Sequence, residues 1–342
     1  MSVSYNKMVR PFSSANHATH VTLDVILNSL NDFDELSGLI DITCTLEIEW
    51  TDDRLTWDPF SFGNISSVIV PADDIWRPDI YVLNVAGDIK RIGDGVATRV
   101  HRDGRITWNV AQTLTFHCGV DVTFVPFDHQ VCNIIFSAYV HMEDELRLQS
   151  NLKVLDVELI YPNAVWNIQP APVINGSIEG RSYLTAGVDL KRKSQFVVIY
   201  IIVPLGLLGL TNMFAFLIPN ELGERNSVAG TTFLTIVVFM SIINEVMPQS
   251  SSPTAYIFVF NLCLMIQSSI IMIVCTLISK LYDLKSDPND SCIPYLVCMK
   301  KRRRQSGDNQ DGGRLEETKP LTWTDVGRRL DVVLFILKVL QI

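Results

Sequence analysis

Three apolar segments in this sequence are long enough to cross a membrane, and all three follow residue 195. They cover about residues 196–218, 225–247 and 254–281. A helix of about 20 residues, rising ~1.5 Å per residue, spans the ~30 Å hydrocarbon core of a bilayer. A weaker fourth segment, about 328–342, carries Asp331 and Lys338 and has too short an apolar part to span. We expect this fourth helix to be truncated here or to lack its end. The sequence therefore predicts a helical membrane domain over residues 195–342.

The second apolar segment carries a polar stripe at helical spacing, and a lipid-facing helix would not. The stripe consists of Glu224, Ser227, Thr231, Leu234, Val238, Ser241, Ile242 and Glu245. Such a face must contact protein or water. A water-filled pore fits its order, because terminal acids concentrate cations, hydroxyls replace hydration water, and Leu234 and Val238 form an apolar constriction. The alternatives are a bundle seam or a buried helix of a large soluble core.

Charge divides the chain at the same place. Residues 1–195 contain 15 Lys and Arg against 25 Asp and Glu, whereas residues 196–342 contain 13 against 12. An acidic domain beside a membrane domain would enrich cations near its entrance. All six histidines lie in the first part. They leave room for pH or metal modulation, with scattered surface positions as the alternative.

The first 194 residues show the pattern of a β-sandwich. Apolar and polar residues alternate strictly from Asp41 to Trp50, which predicts a half-buried strand with Cys44 as a free thiol on its core face. Other short strands, separated by turn signals, are predicted at 21–30, 68–70, 80–83, 96–101, 105–110, 113–117, 131–140, 145–148 and 154–160. Regular short strands without a long helix favour an antiparallel, immunoglobulin-like sandwich.

Processing and cellular location are indicated by weaker signals. Asn64 and Asn175 each begin a glycosylation sequon. The N-terminus has no apolar signal-peptide core, so we infer a mature or engineered start. The basic run at 300–304 places a loop of about 282–322 on the cytoplasmic side. We find no nucleophile elbow, zinc-ligand spacing or phosphate loop, and we expect neither enzyme activity nor a cofactor, resident metal or nucleic-acid partner.

Cys118 and Cys132 enclose thirteen residues that include Pro126, Phe127 and Asp128. In an oxidising compartment, a bridge closing such a loop contributes ~3 kcal/mol in the chain-entropy model. The proline would stiffen the loop tip and expose an apolar knob followed by an acid.

This loop resembles the signature loop of the Cys-loop receptors, the pentameric ligand-gated ion channels, and most closely that of their nicotinic acetylcholine receptor branch. Further similar stretches are Glu49-Trp50-Thr51-Asp52, Trp57-Asp58-Pro59, Trp76–Asn84, Pro204 and Gly223–Pro248. The resemblance covers nearly the whole chain.

The resemblance implies a multi-pass plasma-membrane protein with an extracellular sandwich (1–194) and a four-helix membrane bundle. Each subunit would join four others, most simply as a homopentamer in the lipid bilayer. A small-molecule agonist of unknown identity would bind between adjacent sandwiches and open a pore for monovalent cations. The alternative is a non-conducting or accessory subunit that requires a partner.

At the agonist site the sequence departs from the nicotinic pattern. Tyr139 falls where the central tryptophan of an aromatic cage is expected, and Leu83 where a tyrosine is expected, with Tyr81 as its substitute. Thr45 replaces the tryptophan of the complementary side, where Trp108 could contribute. A short capping hairpin, roughly 176–186, carries Tyr183 but no adjacent cysteine pair. The alternative is that these aromatic residues are ordinary interface packing.

The residues expected to couple binding to gating match the resemblance better. The charged ones, which would form a cluster above the loop after the pore helix, are Asp34, Glu35, Asp128 and Arg192. Pro126 and Phe127 of the signature loop, and Met247 and Pro248 of the loop below, complete the set. The alternative for the region of Arg192 is a solvated basic run beside the membrane.

Overall fold

The computed structural model describes residues 5–11, 18–89, 91–93, 95–219, 223–246, 254–284 and 322–339. The chain divides into two compact units, one ending at Ser194 and the other beginning at Gln195. The first unit contains the strands and the second contains the long helices. Each is described by itself.

The first unit is a sandwich of two sheets. In chain order, the strands are β1 Thr19–Asp34, β2 Leu39–Thr56, β3 Ser67–Pro71, β4 Ile80–Val82, β5 Ala97–His101, β6 Asp103–His117, β7 His129–Ala138, β8 Leu146–Gln149, β9 Trp166–Ile178 and β10 Arg181–Arg192. The larger sheet has the order β3-β5-β6-β2-β1-β8 and the smaller has the order β4-β7-β10-β9. Neighbouring strands are antiparallel except β1 and β8.

The alternation in β2 produces the face that the sequence predicts. Ile42, Cys44, Leu46 and Ile48 are fully buried between the sheets, and Trp50 packs edge-on against Trp76. Cys44 is a free thiol, and burial raises its pKa to about 12. Its buried position rules out disulfide exchange with the surface, since only an accessible thiolate reacts.

Two details of the strands differ from the sequence analysis. The segments 105–110 and 113–117 form one strand, β6, because Ala111 and Gln112 pair with β2 without interruption. Residues 154–160 form isolated bridges instead of a strand. The sequence analysis predicts no strand at the positions of β9 and β10. Pro170 and Pro172 obscure β9 in the sequence, and the sheet tolerates them because β9 lies at its edge.

Among the described residues of the second unit, three helices are long and apolar enough to cross a membrane: α1 Gln195–Leu217, α2 Arg225–Glu245 and α3 Tyr256–Tyr282. The helix α2 extends through Val246. A π-helical turn at Val198–Ile202 precedes Pro204 in α1. Such a turn is a usual way to accommodate a missing backbone donor.

The last helix, α4, runs from Trp323 to Val339 and begins before the expected position near 328. Its start is explained by Thr322, whose hydroxyl and backbone N–H both donate to the Asp325 carboxylate, at 2.7 and 3.2 Å. This pairing resembles a capping box and starts the helix at the next residue.

Candidate functional site

A row of outward-facing positions crosses the smaller sheet. Tyr81 on β4 lies opposite Ser137 on β7, which lies opposite Tyr183 on β10, which lies opposite Gly176 on β9. Residues directly opposite each other share one face of a sheet. A Cβ added at Gly176 would come within 2.7 Å of the Tyr183 hydroxyl, so the Tyr183 ring lies over this glycine.

Tyr139 follows the end of β7 and joins this face. Its ring meets that of Tyr81 edge to face, with centroids 6.1 Å apart. The two tyrosines that the sequence assigns to the cage are therefore in contact. Tyr183, two positions from Arg181 on β10, lies on the same outward face.

The sequence analysis missed Arg181, which belongs to this cluster. Its guanidinium carbon lies 5.6 Å from the Tyr139 ring centroid. Alternation along β10 was the available signal, because Arg181 is two residues from Tyr183. The Arg181 guanidinium thus lies next to the position in which a nicotinic cage would hold the cationic group of a ligand.

The other predicted ligand residues are dispersed. Leu83 is exposed in the turn after β4, where its N–H donates to the Ile135 carbonyl at 2.8 Å. Thr45 is half-buried on the larger sheet, and its hydroxyl donates to Asn28 Oδ1 at 3.2 Å. Trp108 does not contribute to this surface: it is 0% exposed and packs edge-on against Trp50 in the core. Its place on β6 turns it toward the inside of the sandwich.

The predicted bridge between Cys118 and Cys132 is present. Within the loop that it closes, Phe127 is 70% exposed, whereas Asp128 is only 4% exposed. Pro126 follows Val125 through a cis peptide bond. The loop therefore has the exposed apolar knob that the sequence predicts, but the acid beside it points inward.

Asp128 is buried because it pairs with Arg192 at the end of β10. Arg192 Nε donates to Asp128 Oδ1 at 2.7 Å, and Nη2 donates to Oδ2 at 3.1 Å. Arg192 Nη2 also lies 2.9 Å from Glu35 Oε1. The Arg192 guanidinium stacks 4.3 Å from the centroid of Trp166. Burial opposes the charge of Arg192, but the bonds that it donates to Asp128 and Glu35 outweigh this effect and raise the arginine pKa.

Asp34 lies outside this ion cluster. Its carboxylate accepts bonds from the Ser37 hydroxyl at 2.7 Å and the Leu36 N–H at 2.9 Å, and these bonds lower its pKa. Asp34 thus stabilises the β1–β2 turn, while Glu35 provides the contact to Arg192. Met247 and Pro248 lie outside the described residues.

The predicted pore stripe coincides with one exposed face of α2. All eight of its residues are exposed in the chain: Glu224, Ser227, Thr231, Leu234, Val238, Ser241, Ile242 and Glu245. The opposite face is buried and contains Arg225, Ala229, Thr232, Ile236 and Ile243. The helix therefore packs against its own subunit with the face that carries fewer polar groups.

Arg225 lies on the buried face of α2, where it pairs with Asp331 on α4. One guanidinium nitrogen, Nη1, donates to Asp331 Oδ2 at 3.0 Å, and Nη2 bonds to the other carboxylate oxygen. The Tyr282 hydroxyl donates to the same carboxylate at 3.2 Å. A Cβ on Gly327 would collide with the Tyr282 ring at 2.6 Å, so this glycine allows α4 to approach. The acid inside the last apolar segment thus has a structural partner.

Both glycosylation sequons are accessible. Asn64 is exposed in a turn with a left-handed backbone (φ 67), and Asn175 is exposed on the edge strand β9. Their modification remains a prediction.

Comparisons with known proteins agree with this architecture. The profile of the neurotransmitter-gated ion-channel ligand binding domain matches residues 1–194. The neuronal acetylcholine receptor subunit non-alpha-2 of Carassius auratus is 30% identical over 314 residues, 86% of this chain and 67% of that protein. The alpha-9 subunit of Homo sapiens is 28% identical over 72% of this chain and 53% of that protein. The beta-3 subunit of Homo sapiens is 28% identical over 93% of this chain and 72% of that protein.

The chain belongs to the neurotransmitter-gated ion-channel (Cys-loop receptor) family, in its nicotinic-like branch. It spans about half the length of several of these relatives, including alpha-9. As a family member with three membrane-length helices, it is a plasma-membrane protein with an extracellular ligand-binding domain. The family consists of channels, not enzymes.

Proposed function

We propose that this chain is a subunit of an extracellular ligand-gated, cation-selective channel in which α2 lines a pore between five subunits. The observation that carries the proposal is the division of α2 into two faces. An isolated subunit leaves the whole acid-and-hydroxyl stripe exposed while it buries Arg225. A polar stripe at membrane depth must meet water or protein, and a symmetric ring of copies supplies both.

Cation selectivity is expected at the inner mouth. Five copies of Glu224 would form a negatively charged ring, because the neighbouring Arg225 is neutralised by Asp331. Glu245 would lie at a wider outer mouth, where salt screens its charge better. It is therefore expected to tune conductance more than the choice between cations and anions.

The test is a reversal potential measured in a NaCl dilution gradient with the full chain expressed in a plasma membrane. We expect the wild-type current to follow sodium. Glu224→Ala with a proline inserted before it should move the reversal toward the chloride potential. Glu245→Ala is the matched control, and it should lower conductance with little change in reversal. A wild-type reversal at the chloride potential would refute the cation ring.

A second candidate function is a non-conducting or accessory subunit. It is favoured by the dispersed agonist site, in which Leu83 is a turn residue and Trp108 is in the core. The exposed pore stripe opposes it. Expression alone, with a panel of agonists and pH steps, separates the two. Currents that appear only with a nicotinic partner subunit would favour the accessory function.

A further inference from the structure

The cation position of the tyrosine cluster is already occupied. Arg181 lies over Tyr139, whose ring also meets Tyr81. An aromatic face attracts one cation at a time, and here the guanidinium is part of the chain. An incoming ammonium group would have to displace it or share the ring beside a like charge.

The hairpin tip holds Arg181 in this place. Glu179 and Gly180 form a two-residue turn with positive φ angles of 51° and 73°, and Arg181 pairs with Ile178 across it. Such a tight turn restricts the movement of the two strand ends relative to each other. The Gly180 carbonyl also accepts a bond from the Glu143 N–H at 2.8 Å. Glu143 lies in the segment that follows Tyr139, so the tip and the ring are tied together.

The guanidinium has unused capacity for an anion. Arg181 Nη1 lies 3.8 Å from Glu179 Oε2, which is too far for a hydrogen bond, and Glu179 is a solvated side chain on the turn. Among the residues that the structure describes, Arg181 Nε is buried without a hydrogen-bond partner. A carboxylate matches the planar fork of arginine with two parallel bonds, and such charge-assisted pairs are stronger than neutral hydrogen bonds.

We infer that Arg181, with Tyr81 and Tyr139, makes this face a binding site for a small carboxylate-bearing molecule instead of a simple quaternary amine. The inference rests on the proposed agonist site and names its ligand class. A zwitterion satisfies the geometry best, because its carboxylate would bind Arg181 and its ammonium group would lie against a ring face of the tyrosine pair. A carboxylate from an adjacent subunit has the same chemistry and is the competing source.

The test compares two probes that share a trimethylammonium group. Betaine carries a carboxylate where choline carries a hydroxymethyl group. Binding to the purified full chain in detergent is measured by saturation-transfer NMR with the ligand in the millimolar range. We expect betaine to bind at least tenfold more tightly than choline. Arg181→Gln should abolish that preference, and Arg181→Lys should retain part of it. Arg147→Gln is the matched control, because Arg147 is an exposed arginine that pairs with Glu143 at 3.3 Å.

Three results would overturn the inference. The first is choline binding as tight as betaine binding in the wild type, and the second is betaine binding unchanged in Arg181→Gln. The third is loss of the oligomer in Arg181→Gln without betaine binding in the wild type, which would assign the arginine to a subunit contact. The measurement needs no current, so failure of the conduction proposal is detected separately by the reversal-potential experiment.

Discussion

Neutralising each member of the Glu35–Asp128–Arg192 cluster should have unequal and non-additive effects on stability. Arg192→Gln leaves two carboxylates facing each other, and the Asp128 side chain is only 2% exposed. Breaking a buried pair from one side costs ~3–5 kcal/mol. Asp128→Asn leaves Arg192 its contact with Glu35, so we expect about 2–3 kcal/mol, near the range of hydrogen bonds to charged groups. Glu35→Gln, at the wetter edge of the cluster, should cost about 1 kcal/mol.

The assay is the apparent unfolding temperature of the purified full chain, followed by fluorescence for each single variant and for the Asp128→Asn/Arg192→Gln double variant. The double variant should lose about 2 kcal/mol less than the two singles summed, since the first change already removes the pair. Arg105→Gln is the control, because its ion pair with Glu49 at 3.8 Å is half-exposed. Additivity within about 0.5 kcal/mol, or a larger effect of Glu35→Gln than of Arg192→Gln, would refute the reasoning.

Three further predictions concern the pore helix and the core. Leu234→Thr places a hydroxyl in the apolar constriction and should raise agonist sensitivity or open the pore without agonist, and an unchanged dose response in current recordings would contradict a dry gate. Burial raises the pKa of Cys44 from 9.0 to about 12. The neutral thiol therefore makes its full contribution to the free energy of unfolding below pH 9. That contribution falls by ~1.4 kcal/mol per pH unit as the pH rises from 9 toward 12. In alkaline unfolding experiments, Cys44→Val should remove this pH dependence of stability. Non-reducing mass spectrometry should show a single disulfide bridge, Cys118–Cys132, in the extracellular domain. Asp331→Asn should reduce single-channel cation conductance, because it leaves the positive charge of Arg225 unpaired beside Glu224. Adding Arg225→Gln to the same chain should restore the conductance. A double variant that conducts no better than Asp331→Asn would assign Asp331 to folding alone.

Local patterns in the sequence predict much of this fold, for physical reasons. Period-two alternation identifies β2 and places Cys44 in the core, because side chains of a strand point alternately to its two faces. Helical spacing identifies the exposed face of α2 in the same way. Both patterns are properties of neighbouring residues along the chain, so one sequence is sufficient to find them.

Contacts between distant residues account for what the sequence does not predict. Arg181 and Tyr139 meet because β7 and β10 are adjacent in one sheet, and Trp166 lies under Arg192 because β9 is the next strand. The sequence analysis assigned Trp108 to the ligand site, whereas the side chain lies in the core. The sequence does not reveal which face of β6 turns inward. The proposed agonist site is therefore the least predictable part of the molecule, since its contacts join residues from separate strands and turns.

The pairing of Arg225 with Asp331 imposes an order on the synthesis of this protein. The two residues are 106 positions apart, and the acid lies in the final described helix. Arg225 is the first residue of α2, whereas Asp331 lies near the middle of α4. A charged side chain at a helix centre costs roughly 2.5–3.5 kcal/mol during insertion, and its partner relieves part of that cost. While the ribosome is still completing the intervening loop, Arg225 has no Asp331 to neutralise it. The pair can form only after α4 has entered the bundle, and a nascent chain that terminates before Asp331 leaves Arg225 without this partner beside the proposed pore.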